Sequence, residues 1–402
     1  MDKGERSVLL AHHNLEITQA ELARCREAVR NGTIWRLAEQ RSHCSAQLRD
    51  AFLWLLGQMV DPDEGPVGQT VLRHIASTNP IRGNSEVFGE EIDSRPHILH
   101  LNALLAMRWR RPGSWWNGED GSAKRVVLLV GAAPPWRDSA LGDAISALAE
   151  EAASIILIST PLGPVPFTLE DVSPWCHIDG PDDLWELVQT EVEMDAWIED
   201  LGLAGIPMEV HVCESSSDET EGGAERDVIR AWIDRCAVVD KLSLLCGIEP
   251  AAACRLTEGM SSRRSRTDRM VNVFVDDEHL FSPRLTDGAL SLTLAGARRL
   301  HALNPGTPTC FTEEIPVEVR DHPGIPRILL LEDAIPFVGQ GRNVMHGYIL
   351  GADSHVIIGQ PCLIVDESGE LVAHGIANAS ADDMAFFNKG IAVKVRDGAR
   401  RD

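Results

Sequence analysis

The stretch that most constrains the fold is the C-terminal one, Arg327 to Arg396. Short apolar runs alternate there with turn signals. Leu363-Ile364-Val365 runs into Asp366-Glu367-Ser368-Gly369, and Leu371-Val372-Ala373 returns from it. Two aliphatic runs joined by a short Gly-containing loop predict a β-hairpin. Gly341, Gly351, Gly359, Gly369, Gly375 and Gly390 punctuate the rest, where tight turns call for a positive φ. Five or six short strands in about 75 residues predict a small closed or nearly closed barrel.

A length of 402 residues allows two to four domains, and 44% hydrophobic residues supply ample buried core. The formal net charge of −24 argues against a chain that coats nucleic acid nonspecifically, because phosphates repel such a surface. Local basic patches can still contact RNA. The nine cysteines are scattered singly with no CxxC pair, which fits neither a zinc framework nor a disulfide scaffold and suits a reducing cytosol. The polar start and the lack of any run of about 18 apolar residues predict no signal peptide and no membrane span. The expectation is a cytoplasmic protein of α+β, multidomain class.

In chain order, 1–57 reads as a helical segment. Thr18-x-x-Glu21 has the form of a capping box and predicts a helix over 18–31, stopped by Gly32; a second helix is expected from Ile34 to about Leu56. Residues 58–123 read as a linker and helical region, with one helix over 95–108. Arg108, Arg110 and Arg111 beside Trp109 suit either RNA contact or, more commonly, a solvated helix end. His97 and His100 share a helix face but have no third ligand nearby. Residues 124–215 predict an α/β domain with strands at 126–130, 155–158 and 208–212, and helices at 139–151 and 183–201. It has no Gly-rich phosphate loop. After an acidic linker, 224–323 reads as a small α+β domain with a strand at 271–275, a turn at Asp276-Asp277, a partner strand at 279–282 and a helix at 295–302. It carries the most basic run of the chain, Arg263, Arg264, Arg266 and Arg269, a candidate set of phosphate contacts.

Several of these segments resemble a known family. The turn Gly341–Val344 (GRNV), the hairpin Val365–Gly375, the helical stretch Ser380–Gly390 (SADDMAFFNKG) and the closing Ile391–Arg396 (IAVKVR) resemble the PUA domain, an RNA-binding module, over 324–402. The resemblance implies binding to the acceptor end of a structured RNA, with Arg342, Lys389, Lys394 and Arg396 near it. The run LLAHHN (Leu9–Asn14) followed by helices resembles the end of the catalytic domain in tRNA-guanine transglycosylases. There the matching His ligates a structural zinc with three upstream cysteines, which implies that His13 binds zinc only if a partner chain completes the set. The segment Ser159–Val172 resembles the linker after the second strand of that family's post-catalytic domain, and the block before the barrel resembles the domain that precedes PUA in its archaeosine branch.

The catalytic (β/α)₈ barrel of that family needs roughly 250 residues, and only about 120 precede the α/β domain here. The family's catalytic aspartates therefore have no counterparts. The related archaeosine synthase carries a reactive stretch after its first strand; Val130–Asp143 stands in its place, with Trp136 and Ser139 loosely matching and its Cys, Lys and His absent. The expected function is a noncatalytic tRNA-binding subunit of an archaeal tRNA-guanine transglycosylase, with tRNA and a catalytic barrel subunit as partners. No cofactor is expected beyond zinc shared with that partner. A divergent archaeosine synthase and a stand-alone PUA RNA-binding protein are the alternatives.

Overall fold

A computed structural model describes residues 2–60, 72, 75–78, 86–87, 92–109, 123–161, 163–179, 191–213, 223–285, 287–308 and 322–399. The chain forms two compact units, Met1–Pro80 and Ile81–Asp402.

The first unit is helical. Helix α1 (Lys3–Asn31) begins well before the expected Thr18. Asp2 and Glu5 make the capping box, while Thr18 Oγ1 donates to the Asn14 carbonyl inside the helix, 2.8 Å away. Gly32, at φ 68°, ends it as expected. The expected second helix is two: α2 (Ile34–Ser42) and α3 (Ala46–Val60). Ser45 breaks the run, its Oγ accepting from Leu48 N at 3.3 Å at the start of α3. Trp35, Phe52 and Leu56 pack between the helices. Val8, Leu15, Leu22 and Val29 recur every seventh residue along α1 and are 69%, 59%, 44% and 65% exposed, an unburied apolar stripe.

The second unit opens with β1 (Glu86–Val87) and α4 (Pro96–Arg108). Next come β2 (Arg125–Val130), α5 (Trp136–Ser139), α6 (Leu141–Glu150), β3 (Ser154–Thr160), β4 (Gly163–Pro166), β5 (Ile178–Asp179), α7 (Glu191–Asp200) and β6 (Met208–Val212). The sheet order is β4-β3-β2-β6. The three expected strands are the parallel ones, with β4 antiparallel at one edge. The expected start of the 183–201 helix lies outside the described residues. Arg108 is not a solvated helix end. It is buried, and its guanidinium donates to the Leu244 carbonyl at 2.9 Å. Arg110 and Arg111 lie outside the described residues.

Helix α8 (Ala224–Cys246) and α9 (Pro250–Leu256) lead into a four-stranded antiparallel sheet. It comprises β7 (Ser261–Arg264), β8 (Met270–Val275), β9 (Glu278–Pro283) and β10 (Leu290–Leu292), with α10 (Leu294–Leu303) after it. The Asp276-Asp277 turn forms as expected, both residues at positive φ. The basic run is half strand and half turn: Ser261–Arg264 is a strand paired with β8, and 265–269 is the turn between them.

The C-terminal sheet holds β11 (Arg327–Leu330), α11 (Ile335–Gly339), β12 (Val344–Met345), β13 (Ile349–Ala352), β14 (Pro361–Val365), β15 (Leu371–Ala377), α12 (Ala381–Phe386) and β16 (Ile391–Gly398). Its order is β12-β16-β15-β14-β11-β13, a nearly closed barrel around Ile328, Ile364, Val372 and Val393. The β14–β15 turn is built by Asp366, whose Oδ1 accepts from Ser368 N and Glu370 N, each at 3.0 Å. No described helix is long and apolar enough to cross a membrane.

Gly375 sits where the β15–β16 register shifts, and a Cβ there would lie 2.6 Å from the Lys394 carbonyl. Gly375→Ala is expected to destabilise the chain by about 1–3 kcal/mol, read as a lower urea midpoint; an unchanged midpoint would show that the bulge yields freely.

Candidate nucleic-acid interface

The barrel presents its cations on one strand and its flanking turns. Along β16, Ala392 and Val393 point into the core while Lys394 and Arg396 are exposed. The turn before β12 lies beside them, since Asn343 Oδ1 accepts from Val395 N at 3.1 Å. Arg342 in that turn is exposed, its guanidinium 6.0 Å from the Phe337 ring centre. Lys389 is brought in from the other side, where His346 N donates to the Gly390 carbonyl at 3.1 Å. The four cations expected here thus share the β12–β16 region.

Sequence reasoning missed the aromatics among them. Phe386 is 82% exposed and stands edge-on to Phe387, which in turn stands edge-on to His346. Exposed rings beside cations form the kind of surface on which unpaired bases stack. The signal was available as Phe386-Phe387-Asn388-Lys389, two aromatics leading into a cation just past a short capped helix.

The four arginines of the basic run do not act as one set. Arg263 and Arg266 are exposed, with Arg263 lying 5.5 Å over the Phe274 ring. Arg264 and Arg269 turn inward. Arg264 pairs with Asp234 of α8, and with Asp268 Oδ1 at 3.5 Å. Arg269 donates to Asp171 Oδ1 at 2.9 Å, and Lys241 donates to the other oxygen of that carboxylate at 3.1 Å. Lys241 is 1% exposed. Beside it Arg137 holds Glu170, side chain to side chain at 2.5 Å and main-chain N to Oε2 at 3.1 Å. Near the end of the segment Ser159–Val172, Asp171 therefore ties the parallel-sheet part to α8 and the basic hairpin, while Glu170 holds Arg137.

The two carboxylates differ. Burial pushes Glu170 up to about 6 against the pull of Arg137, with Asp171 adding to the rise. Burial also works to raise Asp171, but Lys241 and Arg269 outweigh it and hold this carboxyl below its usual range.

His13 is exposed on α1. Among the described residues, no group of three or more His, Cys, Asp or Glu could hold a metal ion. One imidazole is not the tetrahedral set that zinc takes, so this chain's described residues do not make the site by themselves.

Residues 326–399 match the PUA domain, and residues 249–306 match the patch-forming domain C2 of tRNA-guanine transglycosylase. Over 408 residues the chain is 26% identical to a tRNA-guanine(15) transglycosylase of Methanothermobacter thermautotrophicus, covering 99% of this chain and 55% of that one. A second relative of that name, from Methanocaldococcus jannaschii, is 24% identical over all of this chain and 54% of its own. The chain is similar along nearly its whole length to the tRNA-guanine(15) transglycosylases. It spans about half the length of these curated transglycosylase relatives. A hypothetical protein from Pyrococcus horikoshii is a similar solved structure, 25% identical over 42% of this chain and 91% of its own, with a TM-score of 0.30.

Glu170 carries a pH signature. Its folded pKa lies above its ordinary value, so the folded state binds the extra proton. The favourable contribution is complete at low pH and is lost as pH rises from about 4.5 to about 6. Relative to Glu170→Gln, the wild type should lose about 2 kcal/mol of stability across that window, checked by urea unfolding at a series of pH values. A flat difference would assign Glu170 an ordinary pKa.

Proposed function

We propose that this chain is a noncatalytic, tRNA-gripping part of an archaeal tRNA-guanine transglycosylase in archaeosine biosynthesis. The observation that carries the reading is the alignment of nearly the whole chain with about half of enzymes named tRNA-guanine(15) transglycosylase, joined to a PUA barrel whose exposed cations converge. The residues from 124 onward are taken up by the parallel-sheet module, the C2 module and the barrel. In this reading the catalytic barrel, roughly 250 residues in such a fold, belongs to the part of the enzyme that this stretch does not match. That part of the enzyme would carry the base exchange at a D-arm guanine. Such a base is packed in the tRNA core, so reaching it means opening the RNA, and a separate grip would stabilise the opened form.

In this reading Arg342, Lys389, Lys394 and Arg396 contact the acceptor end, and Arg263 and Arg266 add phosphate contacts from the hairpin. The purified chain should bind tRNA without exchanging labelled guanine. Replacing Arg342, Lys389, Lys394 and Arg396 with Ala should weaken binding and make the salt slope shallower by up to about one unit per lost contact. Filter binding at several salt concentrations measures both. Unchanged affinity would remove the barrel from the interface. Conversion of the inserted base to archaeosine by the chain alone would point to archaeosine synthase instead.

The catalytic part is the partner this reading requires. The apolar stripe of α1, repeating every seventh residue, supplies a face for it, and His13 on the same helix would be the fourth ligand of a zinc whose thiolates the partner provides. His13→Ala should lower zinc content and co-elution of the co-expressed pair while leaving this chain folded. Full zinc occupancy with unchanged co-elution would make His13 an ordinary surface residue.

A further inference from the structure

We propose that the notch between Arg230 and Arg264 is a binding site for one backbone phosphate of RNA, and that Asp268 fills it as an internal counter-ion until RNA arrives. The proposal rests on the RNA-binding reading above and assigns it a site that the basic run alone did not reveal. Arg230 comes from α8 and Arg264 from the end of β7, and both converge on Asp268. Arg230 donates to Asp268 Oδ2 at 2.6 Å. Arg264 donates to the Asp268 carbonyl at 2.9 Å and lies 3.5 Å from Oδ1. Two guanidiniums facing one pair of acidic oxygens also suit the two free oxygens of a phosphodiester.

The charge arrangement calls for an anion there. Burial lowers the pKa of Arg230, and the nearby positive charge of Arg264 lowers it further. Asp234 reaches both arginines and can neutralise one. Asp268 supplies the second charge. With Asp268 swung away, the described residues lining this cavity of about 60 Å³ would set five cations against three carboxylates, in a chain of net charge −24. Arg269, in the same lining, has a buried Nε without a hydrogen-bond partner among the described residues.

Asp268 is also the carboxylate able to leave. Its side chain is 53% exposed, against 9% for Asp234, 17% for Asp171 and 14% for Glu170. It sits on the hairpin turn at φ 52°, a conformation that Asp and Asn tolerate. A side-chain rotation withdraws the carboxylate from the notch without moving the strand, while the Asp268 carbonyl keeps its bond to Arg264. The exposed Arg263 and Arg266 on the same hairpin continue the cationic path to either side.

The test is tRNA binding by the full chain at several salt concentrations. Asp268→Asn keeps the turn and removes the charge, and should tighten binding about threefold to tenfold. Adding Arg230→Gln should cancel that gain, because the two residues act on one site. Asp277→Asn, at another exposed turn of the same sheet, removes the same charge away from the notch and should give a much smaller gain. Binding that is unchanged or weaker in Asp268→Asn overturns the proposal. So does a gain that survives Arg230→Gln, or one that Asp277→Asn matches. A wild-type chain that binds no tRNA would remove the functional reading as well, which separates the two failures.

Discussion

The second unit depends on the bridge Lys241–Asp171–Arg269. A fully buried ammonium is tolerable only with an anion against it, and Asp171 supplies one from a different part of the chain. Arg269 completes the carboxylate from a third part. Desolvating such ions costs several kcal/mol each, and the attraction offsets that cost only when all partners are in place. The parallel sheet, α8 and the basic hairpin are therefore bound to assemble together. Loss of Asp171 would leave the buried Lys241 ammonium without its anion, at a cost of about 3–5 kcal/mol.

Much of this architecture was legible in the residues, and the exceptions have physical causes. Apolar runs such as Val126–Val130 and Ile155–Ile158 announced the buried parallel strands, because a strand covered on both faces needs no alternation. The Asp366–Gly369 turn was equally plain, its side-chain-to-backbone bonds being local. The start of α1 was misplaced because Thr18-x-x-Glu21 and Asp2-x-x-Glu5 are both capping boxes by spacing, and periodicity does not choose between them. Arg108 and Arg269 were read as outward-facing because their acceptors, Leu244 and Asp171, lie far away in sequence. Local composition says nothing about partners at that distance.

The same point governs the candidate site. A run of four arginines in nine residues looked like one cationic surface. Strand alternation divides it: Arg263 faces out and Arg264 faces α8. In an acidic chain, most guanidiniums find carboxylates of their own, so exposed cations such as Lys394 and Arg396 are the more informative ones. The aromatic pair at Phe386 and Phe387 escaped notice for the opposite reason. Apolar rings in a short helix suggest core, and only their exposure shows otherwise.

The C2 module and the barrel are seamed together at several points. His301 meets the Gly369 carbonyl at 2.8 Å, Arg284 donates to the Gly359 carbonyl at 3.3 Å, and Arg298 donates to the Ala399 carbonyl at 3.4 Å. Gly369 and Gly306 are so close that a Cβ on the former would lie 2.7 Å from the latter's Cα. Joined this way, the hairpin and the β16 face behave as the two jaws of a caliper set to one opening. A polyanion that touches both must already match that span, and little conformational freedom is lost when it does.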